Sequence, residues 1–349
     1  MSKAGVVGAG LIGLALAREL HRRGFDVEVW DAGEAGRAAS WAGAGMLAAY
    51  QTTRAEMRPL AIAGAKLYPS WVAELERETG RDVGYRKSGS LLLGASAEPM
   101  PGWERLGAEQ AAAAEPNVNF DEAGTIWRIA DDHSVDNRAL TAALLASVRA
   151  RGVAVHEHAA VREVRRVEGG FEAACEGAAY CAHHVIQCAG AWAGGIAAPA
   201  AAPVRPRKGQ MLCLASALAI HHVIEAPGVY LVPRAGGRVL AGATLEDVGF
   251  EPGVSDEAMR KLRTQAEALA PGLKSAEEVE RWAGYRPCTP DELPMLGESA
   301  CPGYWIAAGH YRDGILLAPI TAKIIADGIV RGRLTRALDL TRFSPQRFG

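Results

Sequence analysis

Apolar positions along the first half of this chain fall into two alternating rhythms. A short run, Val6-Val7, is followed by glycines at 8, 10 and 13, then by Leu11, Leu14, Ala15 and Leu20 at helical spacing, ending at Gly24. This predicts a buried strand leading into a helix over 11–23 with a glycine C-cap. A second run, Val27-Glu28-Val29-Trp30, closes a β-α-β unit on Asp31. Helical spacing returns over 61–79 and over 136–151, where Leu140, Leu144 and Val148 share one face and Gly152 is the stop. Strands are expected at 85–93 and 153–156, the second of them buried, an apolar strand running into a small-residue turn over 185–192, and a hairpin over 161–176 turning at Gly169-Gly170. Residues 99–107 read as irregular surface, with 109–115 a short alanine-rich surface helix.

After the linker-like run 197–203 (Ala-Ala-Pro-Ala-Ala-Ala-Pro), taken as a domain crossing, the pattern changes to antiparallel strands at 211–214, 229–234 and 238–244. The last two form a hairpin at Gly236-Gly237, and Pro233 places its strand at an edge or bulge. An amphipathic helix over 256–270 buries Met259, Leu262, Ala266 and Leu269. The chain ends with a strand at 304–307, a turn at 309–314 and a helix near 319–327. The fold class expected is α/β: a Rossmann-like domain on a parallel sheet, plus an α+β domain with a mostly antiparallel sheet.

Composition narrows the function. The chain has 349 residues, 49% of them hydrophobic, enough for more than one domain. Net charge is −2 from 38 basic and 40 acidic residues, so no global field favours nucleic acid or an anionic membrane. The six cysteines form no CxxC pair, which fits a reduced, cytoplasmic compartment. No signal peptide, membrane span or metal site is expected.

The chemistry starts in the first β-α-β unit. Gly8 allows the tight turn, Gly10 lets a pyrophosphate approach the backbone, and Gly13 lets the helix pack on the sheet. The helix N-terminus offers N–H groups and a positive dipole end to phosphates. Asp31 is placed to accept from a ribose hydroxyl. A purely structural glycine turn is the bland alternative; strand, helix and acid at these distances favour a dinucleotide. A second GxGxxG is missing, so no separate NADPH domain is indicated.

Six motifs in one order then point to a family: Gly8-Ala9-Gly10-Leu11-Ile12-Gly13 with Asp31, the loop 40–46, Cys188-Ala189-Gly190-Ala191-Trp192, Trp282-Ala283-Gly284-Tyr285-Arg286-Pro287, Thr289-Pro290-Asp291, and Gly309-His310-Tyr311-Arg312-Asp313-Gly314-Ile315. Over essentially its whole length the chain resembles the FAD-dependent D-amino-acid-oxidase superfamily, most of all its glycine oxidases of thiazole (thiamine) biosynthesis. The resemblance implies an FAD-binding domain of glutathione-reductase type from 1–80, 131–199 and 290–349, and a substrate domain from 81–130 and 200–289.

It implies further that Gly8, Gly10, Leu11, Ile12, Gly13 and Asp31 hold FAD, with Ala38, Ala39, Ser40, Ala44, Gly45 and Met46 beside the flavin ring. Val161 matches an adenine contact; Ala189, Gly190 and Trp192 match a cofactor turn. His310, Tyr311, Arg312, Asp313, Gly314, Ile315 and Leu316 match the turn over the flavin. Arg286 matches the arginine that grips the substrate carboxylate, Tyr230 a tyrosine bonding the same group, and Arg312 and Met46 border the site.

Without that context Arg286 beside Trp282 or Tyr285 reads as a structural stack, and Tyr230 as core filler. Alignment places Gly284, not Cys288, where related sarcosine oxidases hold flavin covalently, so non-covalent FAD is expected and Cys288 is a small packed residue. The reaction implied is oxidation of a small amino acid, glycine first, by hydride transfer from the α-carbon to flavin N5. O2 then reoxidises the flavin to give H2O2. No general base is nominated.

Sarcosine or a D-amino acid is the alternative substrate, and a flavin dehydrogenase with another electron acceptor the alternative reaction. A nucleotide-binding protein without redox chemistry, or an NAD-dependent dehydrogenase, is the remaining reading. By analogy with relatives, a homo-tetramer is expected.

Overall fold

The computed structural model describes every residue except 1, 52, 53, 95–98, 333, 335, 336 and 349. One sheet has six strands in the order Met295–Glu298, Tyr304–Ala308, His184–Gln187, Lys3–Val7, Asp26–Trp30, Ala154–His156, all parallel except the first. The inner strands Lys3–Val7 and Tyr304–Ala308 are nearly continuous buried runs because both faces are covered. Val6, Val29 and Ile186 pack among the helices Leu11–Arg22, Arg58–Thr79, Asn137–Ala150 and Gly314–Arg331. Val7, Trp30 and Val185 pack on the other face, with Phe171 and Ala173 of a three-stranded antiparallel sheet, Glu163–Val167, Gly170–Cys175 and Ala178–Ala182. The strand expected to be buried at 153–156 is the edge strand Ala154–His156, with a partner on one side only, and Ala154 is exposed.

The second sheet has eight strands: Glu277–Cys288, Arg205–Ala215, Arg238–Gly242, Val229–Arg234, Val223–Ala226, Ser90–Leu93, Ile126–Ile129 and Trp103–Leu106. All neighbours are antiparallel except Val223–Ala226 on Ser90–Leu93. Trp103–Leu106 lies where irregular surface was expected. Its central residues are polar and it acquires strand geometry only by pairing with Ile126–Ile129. Val229–Arg234 is an interior strand, not an edge. Pro233 is tolerated because it lies beyond Leu231, which pairs with Ile224, so the missing N–H costs no ladder bond on that side.

Alternation along these strands builds two faces. Leu212, Leu214, Ile224, Leu231, Val239 and Ala241 pack under the helix Asp256–Leu269, whose N-terminus is capped by Ser255 Oγ accepting from Ala258 N–H. The opposite face, with Met211, Cys213, Val232, Leu240 and Trp282, meets Ala44 and the segment around it.

The helix expected near 319–327 is the longer Gly314–Arg331, with Pro319 inside it. A proline here removes the N–H that Ile315 C=O would accept. Tyr68, from the middle of Arg58–Thr79, donates its hydroxyl to that carbonyl. A buried orphan acceptor is thereby satisfied, and the helix can begin early enough to bring residues 314 and 315 to the site.

Candidate active site

Between the two sheets lies a cavity of about 1360 Å³, larger than the few hundred to roughly 1,000 Å³ usual for a small-molecule site. One end is the first β-α-β unit. Gly8 has φ +109°, and a Cβ there would lie 2.4 Å from the Cys188 carbonyl oxygen. The helix Leu11–Arg22 starts with no capping side chain at Gly10 and no acid in its first turn, so its positive end faces the cavity. Ser40 Oγ accepts from Leu11 N–H at 2.8 Å, tying the loop to this helix end. Asp31 accepts from Ala9 N–H at 2.6 Å and Gly33 N–H at 2.9 Å. Burial pushes its carboxyl up against the pull of those two donors.

The loop after Asp31 is ordered by contacts that sequence spacing does not display. Residues Ala39–Ala42 form one helical turn and Met46–Leu47 pair with His133–Ser134. Asn137 Nδ2 donates to the carbonyls of Ser40 and Trp41, and Arg234 Nη2 to that of Ala44 at 2.6 Å. Gly45 is at φ +66°, where a Cβ would lie 1.9 Å from the Val135 carbonyl oxygen.

The far wall is the inner face of the eight-stranded sheet. Pairing register aligns Glu225, Tyr230, Gly242, Met211 and Trp282 in one row across it. The Tyr230 hydroxyl donates to Met211 Sδ at 3.0 Å, an acceptor weak enough that the O–H can turn to a stronger acceptor on a ligand. Burial pushes the Tyr230 phenol up, while the Arg286 guanidinium beside it pulls the other way.

Arg286 Nη1 donates to Thr244 C=O at 3.1 Å and Lys208 C=O at 3.4 Å. It fits because Gly209 is its neighbour: a Cβ there would fall 2.2 Å from Nη1.

The turn after Tyr304–Ala308 supplies the roof. His310 is buried, with Nε2 3.1 Å from Thr321 Oγ1, and burial alone drives its pKa down to about 3. It is a neutral imidazole. Burial raises Asp313 to about 6, opposed by Arg312.

Of the residues for which the resemblance implies contact with cofactor or substrate, all line this cavity except Gly13 and Leu316. Gly13 is pressed against the strand-to-helix turn, where a Cβ would lie 1.9 Å from Gly8 O, and Leu316 is buried in the helix-side core. Cys288 is buried and absent from the lining, whereas Gly284 is part of it. Sequence reasoning missed Glu225, Gln51 and Met211 on the wall. The only signal for Glu225 was its place one strand before Tyr230.

Residues 3–328 match the DAO family of FAD-dependent oxidoreductases, and the chain belongs to that family. FAD is its cofactor, and the glycine cradle, open helix end and Asp31 fit a dinucleotide. The bifunctional protein ThiO/ThiG of Nostoc sp. is 37% identical over 344 residues, covering 93% of this chain and 52% of the relative. The chain thus spans about half the length of the relatives of that kind. Glycine oxidase of Geobacillus kaustophilus is 32% identical over 363 residues, covering 98% of this chain and 96% of the relative. The crystal structure of glycine oxidase from Geobacillus kaustophilus superposes with TM-score 0.92 at 31% identity, covering 99% of each chain.

Proposed function

We propose that this chain is an FAD-dependent oxidase of small amino acids, with glycine its leading substrate: glycine, O2 and water give glyoxylate, ammonia and H2O2. The observation that carries this reading is Arg286, held by two carbonyls beside Tyr230 in the same cavity as the nucleotide cradle. A planar fork suits a carboxylate, and glycines at 209, 242 and 284 shape the wall around it. Arg286 would bind the substrate carboxylate, Tyr230 would donate to it, and Arg312 and Met46 would border the bound molecule. Held so, the amino acid is oriented rather than activated by a strong base, and proximity supplies much of the rate. FAD, when bound, supplies the two-electron acceptor and its reoxidation by O2.

The cofactor-binding part comprises 1–80, 131–199 and 290–349, the substrate part 81–130 and 200–289. FAD is held without a covalent bond in this reading: Gly284, which has no side chain to bond the flavin, stands on the wall where the resemblance places the covalent position, and Cys288 is off it. The relatives' names, glycine oxidase and ThiO/ThiG, support glycine and service to thiazole synthesis. The described residues contain no helix long and apolar enough to cross a membrane. The six free cysteines support a reduced cytoplasmic setting, and a homo-oligomer, a tetramer by analogy, belongs to the same reading.

The test is anaerobic mixing of the purified yellow protein with glycine, sarcosine, D-alanine and D-proline, then admission of air. Bleaching by glycine followed by peroxide is expected. Bleaching without peroxide would indicate a dehydrogenase, and no bleaching by any of the four would overturn the reading.

A further inference from the structure

We propose that Glu225 receives the amine end of the substrate, taking its N–H hydrogen bonds and accepting one proton from the ammonium so that the amino acid reacts as a free amine. This rests on the amino-acid reading above. Glu225 pairs directly with Tyr230 across neighbouring antiparallel strands, so both side chains leave the sheet on the same face. It lines the cavity that also holds Arg286 and Arg312. An amino acid zwitterion carries an anion and a cation separated by a single carbon. The wall offers the complementary pair, a guanidinium and a carboxylate. Glu225 Oε1 is buried and finds no hydrogen-bond partner among the described residues. An unpartnered buried carboxylate oxygen is costly unless a ligand supplies the donor.

The groups facing Glu225 come from each element around it: Tyr230 from the adjoining strand, Gln51 from the segment after Met46–Leu47, Asp132 from the turn between Ile126–Ile129 and His133–Ser134, and Arg312 from the turn 309–314. Leu92, its partner on the other strand, is apolar. Asp132 is already occupied, accepting from Gln51 Nε2 at 2.7 Å and Ser90 Oγ at 2.8 Å. Its charge nevertheless adds to burial in lifting Glu225, against Gln51 and Arg312, to about 7. That is the range in which a carboxylate serves as a proton acceptor at neutral pH. In the step itself an N–H bond of the ammonium breaks, an O–H bond forms on Glu225, and the electron pair stays on nitrogen. Removal of both charges from a desolvated cavity favours this direction.

The test compares wild type with Glu225→Gln, which keeps shape and removes the charge, and with Glu225→Asp. Flavin absorbance is titrated with glycine and with acetate, which has the carboxylate and no amine. For Glu225→Gln, glycine binding should weaken at least about tenfold while acetate binding is unchanged or tighter, and kcat should fall about 100-fold. In wild type kcat/KM should drop as pH falls below about 7. That limb should vanish in Glu225→Gln and return in Glu225→Asp.

Equal glycine affinity and an unchanged pH profile in Glu225→Gln would overturn the proposal, as would equal weakening of glycine and acetate, which marks a structural role. If wild-type flavin fails to respond to any small amino acid, it is the amino-acid reading that fails, and this inference with it.

Discussion

Arg286 cannot turn away from the cavity while two backbone carbonyls hold Nη1. Its geometry is therefore set before a ligand arrives, which lowers the ordering cost of binding. Arg286→Ala should lower kcat/KM by about 10- to 100-fold, the worth of hydrogen bonds to a charged group, while FAD stays bound. Steady-state kinetics beside the visible spectrum checks this, and full activity would remove Arg286 from the site. Gly209→Ala should mimic it in part, because a Cβ 2.2 Å from Nη1 must displace the guanidinium. The expected signature is a raised KM with an unchanged flavin spectrum.

Glu225 makes a different prediction, on stability. Its folded pKa, about 7, lies above the ordinary 4.5. Stability linked to this group is present below the unfolded value and is lost as pH rises through 7. Without amino acid, Glu225→Gln should melt higher than wild type at pH 8, and the gap should close towards pH 4.5. A gap independent of pH would show that the carboxyl carries no such burden.

At the scale of elements, the helix Gly314–Arg331 depends on a residue 247 positions away in sequence, Tyr68, whose hydroxyl serves the carbonyl that Pro319 leaves free. Tyr68→Phe should cost about 1–3 kcal/mol, the penalty of a buried unsatisfied group, and lower Tm by several degrees. Pro319→Ala restores an N–H donor, so Tyr68→Phe should cost less in that background. Equal cost in both would mean the two residues are not coupled.

The same helix shows where legibility ended. Pro319 reads as an N-terminal mark because proline is favoured there, and the compensating hydroxyl leaves no local trace. The glycine cradle with Asp31 was legible because its meaning lies in short spacing. The strand Lys3–Val7 was legible because both faces of its buried part are apolar, and Asp26–Trp30 because Val27, Val29 and Trp30 are buried. The four-residue strands Trp103–Leu106 and Ile126–Ile129 exist only through partners. In the candidate site, Arg286 and Tyr230 stood out by motif. Glu225, Gln51 and the supporting Gly209 take their importance from cross-strand register and from another sheet's approach, which no window of sequence contains.

At the scale of the whole molecule, the cavity exists because two sheets are held at a fixed separation, and Arg138 is at the joint. It rises from the helix Asn137–Ala150 and lies over two indoles that meet edge to face, with its guanidinium carbon 3.6 Å from the Trp41 ring centre and 4.6 Å from that of Trp282. It is paired with Glu280 at 2.8 Å, while Trp282 Nε1 donates to Ala42 C=O at 3.0 Å. Helix, the 39–47 segment and the outermost strand of the second sheet are thereby fastened around one side chain that is itself absent from the cavity lining. Both members of the ion pair are about one-third exposed, so water screens the pair and the stack contributes more. Loss of about 1–2 kcal/mol at this joint loosens the 39–47 segment without removing any group that would touch FAD. Arg138→Ala should therefore weaken FAD binding by about 5- to 30-fold, read by titrating cofactor-free protein with FAD and following flavin fluorescence. Arg138→Lys should restore little, because an ammonium cannot lay a planar face on Trp41 while its two nitrogens donate in parallel to Glu280, as the guanidinium does. An Arg138→Ala protein that binds FAD as tightly as wild type would show that the glycine cradle alone sets cofactor affinity and that the second sheet contributes nothing to it.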